Sequence, residues 1–264
     1  MISNKKQVLF LGAGRMAQAI ISGLINDSSF HIMVTNNGDE KRLRYVQDTF
    51  NVEVIESWRE EMESTDIIVL ALPPEGHDSI LKELAEFVDQ QLIITVAAGI
   101  GPAYLEERLP NGTPVAWVMP NTAAQVGKST TLFANGSYMT AEHETWLQAM
   151  LQQVGTYEQV TEQQVHHLTP ITGSAPAFVY KMAESLIRSA EESGITEQQA
   201  QNLVSSMLEG AAAMLQTGQK PSYLTDQVAT PGGVTAAGLE VLDESGLDQM
   251  LQRAIAACHE RAKH

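Results

Sequence analysis

Val8-Leu9-Phe10-Leu11 is a short apolar run that feeds without a spacer into Gly12-Ala13-Gly14-Arg15-Met16-Ala17, and Ile20, Ile21, Leu24 and Ile25 follow at helical spacing. This succession of strand, glycine turn and helix constrains the fold more than any other stretch of the 264 residues. An unbroken apolar run has no solvent face, so its strand belongs in a sheet covered on both sides. Gly12 permits the tight turn, Gly14 leaves bare backbone for a pyrophosphate, and Ala17 keeps helix and strand close. A chance glycine turn would look the same, so the segments that follow carry the weight.

Those segments repeat the pattern. Apolar strand signals recur at residues 31–35, 52–55, 66–71, 92–97, 115–118, 131–134 and 156–160, and helical patterns fall between several of them, as at 79–88, 102–109 and 141–154. Strands alternating with helices make a doubly wound, mostly parallel sheet. From Glu162 the strand signals stop and helical patterns continue to the end. The fold class expected is an α/β Rossmann-like dinucleotide-binding domain over residues 1–161, followed by an all-α domain over residues 162–264.

In such a sheet the ligand lies beyond the carboxyl ends of the strands. Ala71-Leu72-Pro73-Pro74 and Val96-Ala97-Ala98-Gly99 stand at two of those ends and are small or proline-rich, as a wall against a flat cofactor should be. Where an Asp or Glu would meet a free ribose 2′-hydroxyl, this chain has Asn36-Asn37-Gly38, with Lys41, Arg42 and Arg44 close behind. Cations there favour a 2′-phosphate, hence NADP(H) over NAD(H), unless the three merely decorate an exposed helix face. Asn121 and Thr122, after Met119-Pro120, are placed either to meet a nicotinamide or to close a local turn.

The helical half breaks at Ile171-Thr172-Gly173-Ser174-Ala175-Pro176, and helical patterns resume over 177–193, 196–216, 222–228 and from 247 onward. Helices this long and apolar bury their faces on one another, so at least a homodimer is expected. Between them lies Thr230-Pro231-Gly232-Gly233-Val234-Thr235-Ala236-Ala237-Gly238-Leu239. Pro231 keeps Thr230 out of helical dihedrals, Gly232 and Gly233 let backbone come near another molecule, and a helix then begins. The free N–H groups of its first turn, with the hydroxyls of Thr230 and Thr235, suit a small carboxylate; an ordinary helix start would carry the same residues.

The formal charge of −16 and the lack of a basic patch argue against nucleic acid. No apolar run reaches the length of a membrane span, and Cys258, the single cysteine, excludes an internal disulfide; a cytoplasmic protein is expected. His166 and His167 are adjacent and diverge on a helix, His259 and His264 sit on the terminal helix, and His31 and His143 lack spaced partners, so no metal site is expected; His77, after the Pro73-Pro74 turn, has no carboxylate orienter nearby in sequence and is expected to be structural or solvated. No Gly-x-Ser-x-Gly elbow supports hydrolysis.

With these motifs in view, the chain resembles the pyrroline-5-carboxylate reductases over nearly its whole length. The likeness rests on Gly12-x-Gly14-x-x-Ala17, Met119-Pro120-Asn121-Thr122, Gly173-Ser174-Ala175-Pro176-Ala177 and, most specifically, Thr230 to Leu239. It implies NAD(P)H-dependent reduction of 1-pyrroline-5-carboxylate to L-proline, and a helical domain that dimerises by interlocking. The active site would form between one subunit's nucleotide domain and its partner's helices. Carried over, Leu11, Gly12, Ala13, Gly14, Arg15 and Met16 would line the cofactor with Ala71, Leu72, Pro73, Pro74, Val96, Ala97 and Ala98. Asn36 or Asn37 would meet the ribose phosphate, Asn121 the nicotinamide end, and Gln227 the nicotinamide ribose. Thr230, Gly232, Gly233, Val234 and Thr235 would hold the substrate, with the Thr235 hydroxyl near the ring nitrogen. The chain departs from the family pattern at Arg15, Asn37, Pro73, Ala123 and Ala175. The rivals are a reductase of another imine or oxo acid, and a regulatory homologue that binds the dinucleotide without turnover.

Overall fold

The computed structural model describes residues 5–262. The chain forms two compact units, one reaching to Gly173 and one beginning at Ser174. The first is built on eight strands: β1 (Lys6–Leu11), β2 (Phe30–Thr35), β3 (Glu53–Val54), β4 (Ile67–Leu70), β5 (Leu92–Thr95), β6 (Val115–Met119), β7 (Ser129–Asn135) and β8 (Gly155–Gln159). Their order across the sheet is β3-β2-β1-β4-β5-β6-β7-β8. All neighbours are parallel except β6 and β7, which are antiparallel, since only a short 3₁₀ turn (Thr122–Val126) joins them and no helix crosses over. The chain builds outward from β1 to β3 and then returns to lay β4 on the other side of β1. That reversal opens a crevice between the carboxyl ends of β1 and β4, where open α/β sheets take their ligands.

Six helices clothe the sheet: α1 (Arg15–Leu24), α2 (Glu40–Phe50), α3 (His77–Leu84), α4 (Pro102–Glu106), α5 (Ala141–Val154) and α6 (Glu162–Thr169). On one face Ile20, Ile21 and Leu24 of α1, Val46 of α2 and Leu147, Met150 and Leu151 of α5 pack with Val8, Phe10, Val69 and Ile94. On the other, Leu81 and Leu84 of α3 and Leu105 of α4 pack with Leu9, Ile68, Leu70 and Ile93. β4 and β5 are buried at every position, as their unbroken apolar sequences require.

Although α6 lies past Thr161, it packs on the sheet. Val165 is fully buried with Trp117, Leu132 and Ala134, and the Trp117 ring meets His166 edge-on at 4.6 Å. Glu162 accepts a hydrogen bond from the Ala103 backbone N–H (3.2 Å) at the start of α4, a helix whose own Gly101 cap has no side chain to offer. A π-helical turn, Pro170–Ser174, then carries the chain to the second unit.

The second unit comprises α7 (Ala175–Glu191), α8 (Glu197–Gln216), α9 (Pro221–Val228), α10 (Val234–Glu244) and α11 (Leu247–Ala262). Thr196 and Gln199 form a capping box that starts α8. Among the described residues of this unit only Ala200 and Val204 are buried. Val179, Met182 and Leu186 on α7, and Leu203, Met207 and Met214 on α8, recur at helical spacing and face outward.

Candidate active site

Gly12 sits at the crevice with φ of +114°, a conformation that L side chains rarely adopt. A Cβ there would stand 2.8 Å from the Ala71 carbonyl carbon and nearer still to its oxygen, so only glycine lets β1 and β4 end side by side. The Gly12 N–H donates to the Thr35 carbonyl (2.8 Å) and the Ala71 N–H to the Leu11 carbonyl (2.9 Å), tying three strand ends together. Gly14 is the N-cap of α1. Its neighbourhood is open, with only the Ala71 carbonyl oxygen, 4.0 Å away, near a Cβ built there.

No side chain caps α1 and no acidic residue lies in its first turn, whereas Asp39 caps α2, Thr140 caps α5 and Thr161 caps α6. The N–H groups of Arg15, Met16 and Ala17 precede the first intrahelical bond, from Gln18 N–H to the Gly14 carbonyl (3.0 Å), and remain as donors at the positive end of the helix dipole. The Gln18 side chain donates to the Ala13 carbonyl (2.8 Å) and stiffens the loop. An anion such as a pyrophosphate completes this helix start.

Beside it opens a cleft of about 580 Å³. Leu11, Gly12, Asn36, Asn37, Leu72 and Pro73, all expected at the cofactor, lie on its wall. The Asn36 Nδ2 is buried and has no hydrogen-bond partner, an orphan donor that a ribose or phosphate oxygen would satisfy. The cradle at Gly12, the uncapped helix and this unmatched amide fit a dinucleotide.

The cations expected at the ribose do not line this cleft. Arg42 pairs with Asp39 (3.3 Å) one turn into α2, and neither it, Lys41 nor Arg44 is on the wall of the cleft. Its cation is Arg59, ion-paired to Glu83 and stacked 4.5 Å from the centre of the Trp58 ring, and all three residues line the cleft. Sequence reading missed Trp58, Arg59 and Glu83. The available signal was the carboxyl end of β3, which the rule for open sheets includes and the motif for the first glycine turn does not.

The two remaining loops are fixed from beneath. His77 is fully buried; its Nδ1 lies 3.1 Å from the Pro73 carbonyl and its Nε2 3.0 Å from the Thr95 hydroxyl, which also accepts from the Ala97 N–H (3.2 Å). For a neutral ring only one tautomer satisfies these partners: Nδ1–H donates to Pro73, and Nε2 accepts from Thr95. Burial lowers the His77 pKa, consistent with this neutral ring, and hydrogen bonding to the Pro73 and Pro74 carbonyls opposes the shift. The ring thereby links Pro73-Pro74 to Val96-Ala97-Ala98. Trp117 Nε1 adds a bond to the Ala97 carbonyl (2.9 Å). Asn121 closes a local turn, accepting from the Ala123 N–H (3.0 Å) and donating to the Thr172 carbonyl (2.9 Å), which leaves one amide proton uncommitted by these bonds.

Gln227 and Thr230 to Thr235 lie in the second unit. Thr230, Pro231, Gly232 and Gly233 form a turn closed by the Gly233 N–H on the Thr230 carbonyl (2.9 Å), with Gly232 at φ +74°, as a proline-glycine pair at its centre demands. Gly233 is then the N-cap of α10, again with no side-chain cap and no acid in the first turn. The N–H groups of Val234, Thr235 and Ala236 come before the first intrahelical bond, from Ala237 to Gly233 (3.2 Å). Val234 is 94% exposed, and Thr230, Thr235 and Gln227 are exposed too.

Known proteins share both halves. A family model described as pyrroline-5-carboxylate reductase dimerisation matches residues 162–264, and one described as NADP oxidoreductase coenzyme F420-dependent matches residues 7–99. Pyrroline-5-carboxylate reductase 1 of Bacillus spizizenii is 34% identical, over 99% of this chain and 90% of that one. The chain belongs to the pyrroline-5-carboxylate reductase family. A solved pyrroline-5-carboxylate reductase from Coxiella burnetii superposes with a TM-score of 0.88 at 28% identity, covering 98% of each chain. A Plasmodium falciparum pyrroline carboxylate reductase, solved with NADP bound, shares the fold at a TM-score of 0.87 and 24% identity, again over 98% of each chain. In this reductase the outward apolar stripes of α7 and α8 fall inside the segment that the dimerisation model matches. The comparison accounts for a helical unit with so little core of its own.

Proposed function

We infer that this chain reduces 1-pyrroline-5-carboxylate to L-proline with NADPH, NADH being the alternative donor. The observation that carries the reading is that α1 in the sheet unit and α10 in the helical unit each begin at a glycine N-cap with no side-chain cap and no acid in the first turn. One suits a dinucleotide pyrophosphate and the other a small carboxylate.

The reduced nicotinamide supplies the hydride. Leu11 to Met16 hold the pyrophosphate, Asn36 and Asn37 the adenosine ribose, and Ala71 to Pro74 with Val96, Ala97 and Ala98 form the wall beside the ring. Asn121 and Gln227 serve the nicotinamide end. At α10 the Val234 and Thr235 N–H groups take the substrate carboxylate. The Gly233 N–H is already committed to the turn, so Gly233 contributes an absent side chain, and a Cβ there would stand 3.0 Å from the Thr230 carbonyl oxygen. The imine carbon is electrophilic, more so once its nitrogen is protonated, and positioning within about 3–3.5 Å of the hydride donor supplies most of the rate enhancement. Thr235 orients the ring nitrogen and assists proton delivery to it from water, without being an obligatory acid.

Residues 162–264 act as the dimerisation and substrate-binding domain. The functional unit is a homodimer or a larger assembly of dimers, in which one subunit's helices complete its partner's nucleotide site. A cytoplasmic location accompanies this reading, and no described helix is long and apolar enough to cross a membrane. Purified protein mixed with pyrroline-5-carboxylate and either reduced cofactor tests the activity directly. Consumption of the cofactor with formation of proline is expected. Cofactor binding without turnover of pyrroline-5-carboxylate would instead point to one of the two rivals, a reductase of another imine or oxo acid or a regulatory homologue.

A further inference from the structure

The end of β2 carries no acid, which leaves the cleft without the residue that usually meets a free ribose 2′-hydroxyl. Three charged side chains line it instead: Glu56, Arg59 and Glu83. Arg59 is held on two sides. Its guanidinium lies over the buried Trp58 ring and is ion-paired to Glu83 on α3, with each of the paired side chains a little under half exposed. The Trp58 ring is itself fixed edge-on against Phe87 at 5.5 Å. Across the same cleft, the buried Asn36 Nδ2 lacks a partner.

We propose that Arg59 and Glu83 set the choice between the two cofactors, Arg59 as the cation for the ribose 2′-phosphate and Glu83 as its competitor. The proposal rests on the reading of this unit as an NAD(P)H site. Without a 2′-phosphate, Arg59 stays with Glu83 and the nucleotide meets only Asn36 and Asn37, so NADH is tolerated. A 2′-phosphate, doubly charged and matched to the fork of a guanidinium, draws Arg59 from the carboxylate while Trp58 keeps the cation beside the cleft. Glu56 stays as an opposing charge in either case. The two members of the ion pair therefore act with opposite signs, a pattern that a structural salt bridge would not give.

Binding of 2′,5′-ADP and of 5′-AMP to the full-length protein, followed by calorimetry, tests this without routing it through turnover. Arg59→Ala is expected to weaken 2′,5′-ADP by about 10-fold or more, the size of a lost charge-assisted hydrogen bond, and to change 5′-AMP little. Glu83→Gln is expected to tighten 2′,5′-ADP by a few-fold. Parallel kinetics should show the NADPH-to-NADH ratio of kcat/KM falling in the first variant and rising in the second. Equal loss of both nucleotides in Arg59→Ala, no loss of either, or no binding by the unaltered protein would overturn the proposal. Selective loss of 2′,5′-ADP in a protein that fails to reduce pyrroline-5-carboxylate would uphold it and sink the assigned reaction instead.

Discussion

Val8, Leu9 and Phe10 on β1 have no exposed surface, while Val234 at the head of α10 is 94% exposed. The same contrast separates the two compact units. The sheet unit buries its apolar residues on both faces of one sheet, so its architecture follows from its own chain. The helical unit displays Val179, Met182 and Leu186 on one helix and Leu203, Met207 and Met214 on the next, and buries only Ala200 and Val204 among its described residues. Burial drives folding in both, but the second leaves apolar surface exposed within the segment that the dimerisation model matches.

The largest effect should come from attacking that exposed surface. Leu203→Glu is expected to raise the dimer dissociation constant by roughly 10³-fold, because a two-fold interface loses about 1.5–3 kcal/mol at each of two equivalent positions. Sedimentation over a concentration series reads this, and an unchanged dimer would mean that the outward stripe is not the interface.

In the sheet unit the comparable blow is Gly12→Val. A branched side chain at φ +114°, pressed on the Ala71 carbonyl, should cost about 3 kcal/mol in a urea titration and remove NADPH binding with it. Retained binding with native stability would show that the crevice is more yielding than its geometry.

Thr235→Ala probes the helical unit's chemistry rather than its packing. A drop of about 10²-fold in kcat/KM with unchanged dimerisation is expected, as for a lost oriented hydrogen bond, and near-native turnover would remove Thr235 from the site.

The mildest test concerns His77. Its pKa in the folded protein is lowered by burial from the 6.5 of the free side chain, so as pH falls below that value the unfolded chain takes up a proton that the folded one resists. Stability should fall on acidification through this window, by at most about 1.4 kcal/mol per pH unit from this residue. His77→Gln should flatten the slope. His143, whose pKa is also lowered chiefly by burial, contributes in the same direction and leaves a residual slope. An unaltered profile in the variant would place the acid sensitivity outside the His77–Thr95 link.

Local steric rules explain what could be read early. The tight turn at Gly12, the proline-glycine turn before α10, the Thr140 cap of α5 and the fully buried β4 and β5 each depend on residues within a few positions of one another. Contacts at long separation were out of reach. Arg59 meets Glu83 across 24 residues and His77 meets Thr95 across 18, and neither pair has a spacing rule that would announce it. Lys41, Arg42 and Arg44 lie near the end of β2 in sequence, but sequence distance measures proximity only within an element. None of the three lines the cleft, and Arg42 pairs with Asp39 at the start of α2.

By itself the amino-acid sequence determined the alternating α/β half, the helical half, the glycine cradle and the glycine-led starts of α1 and α10, because dihedral limits and apolar periodicity act over one or two turns of chain. Tertiary structure alone decided that β6 and β7 run antiparallel, that α6 sides with the sheet through Val165 and Glu162, and that Arg59, not the cations of α2, lines the cleft. Those outcomes depend on which distant surfaces exclude water together, a property of the folded whole that no local stretch encodes.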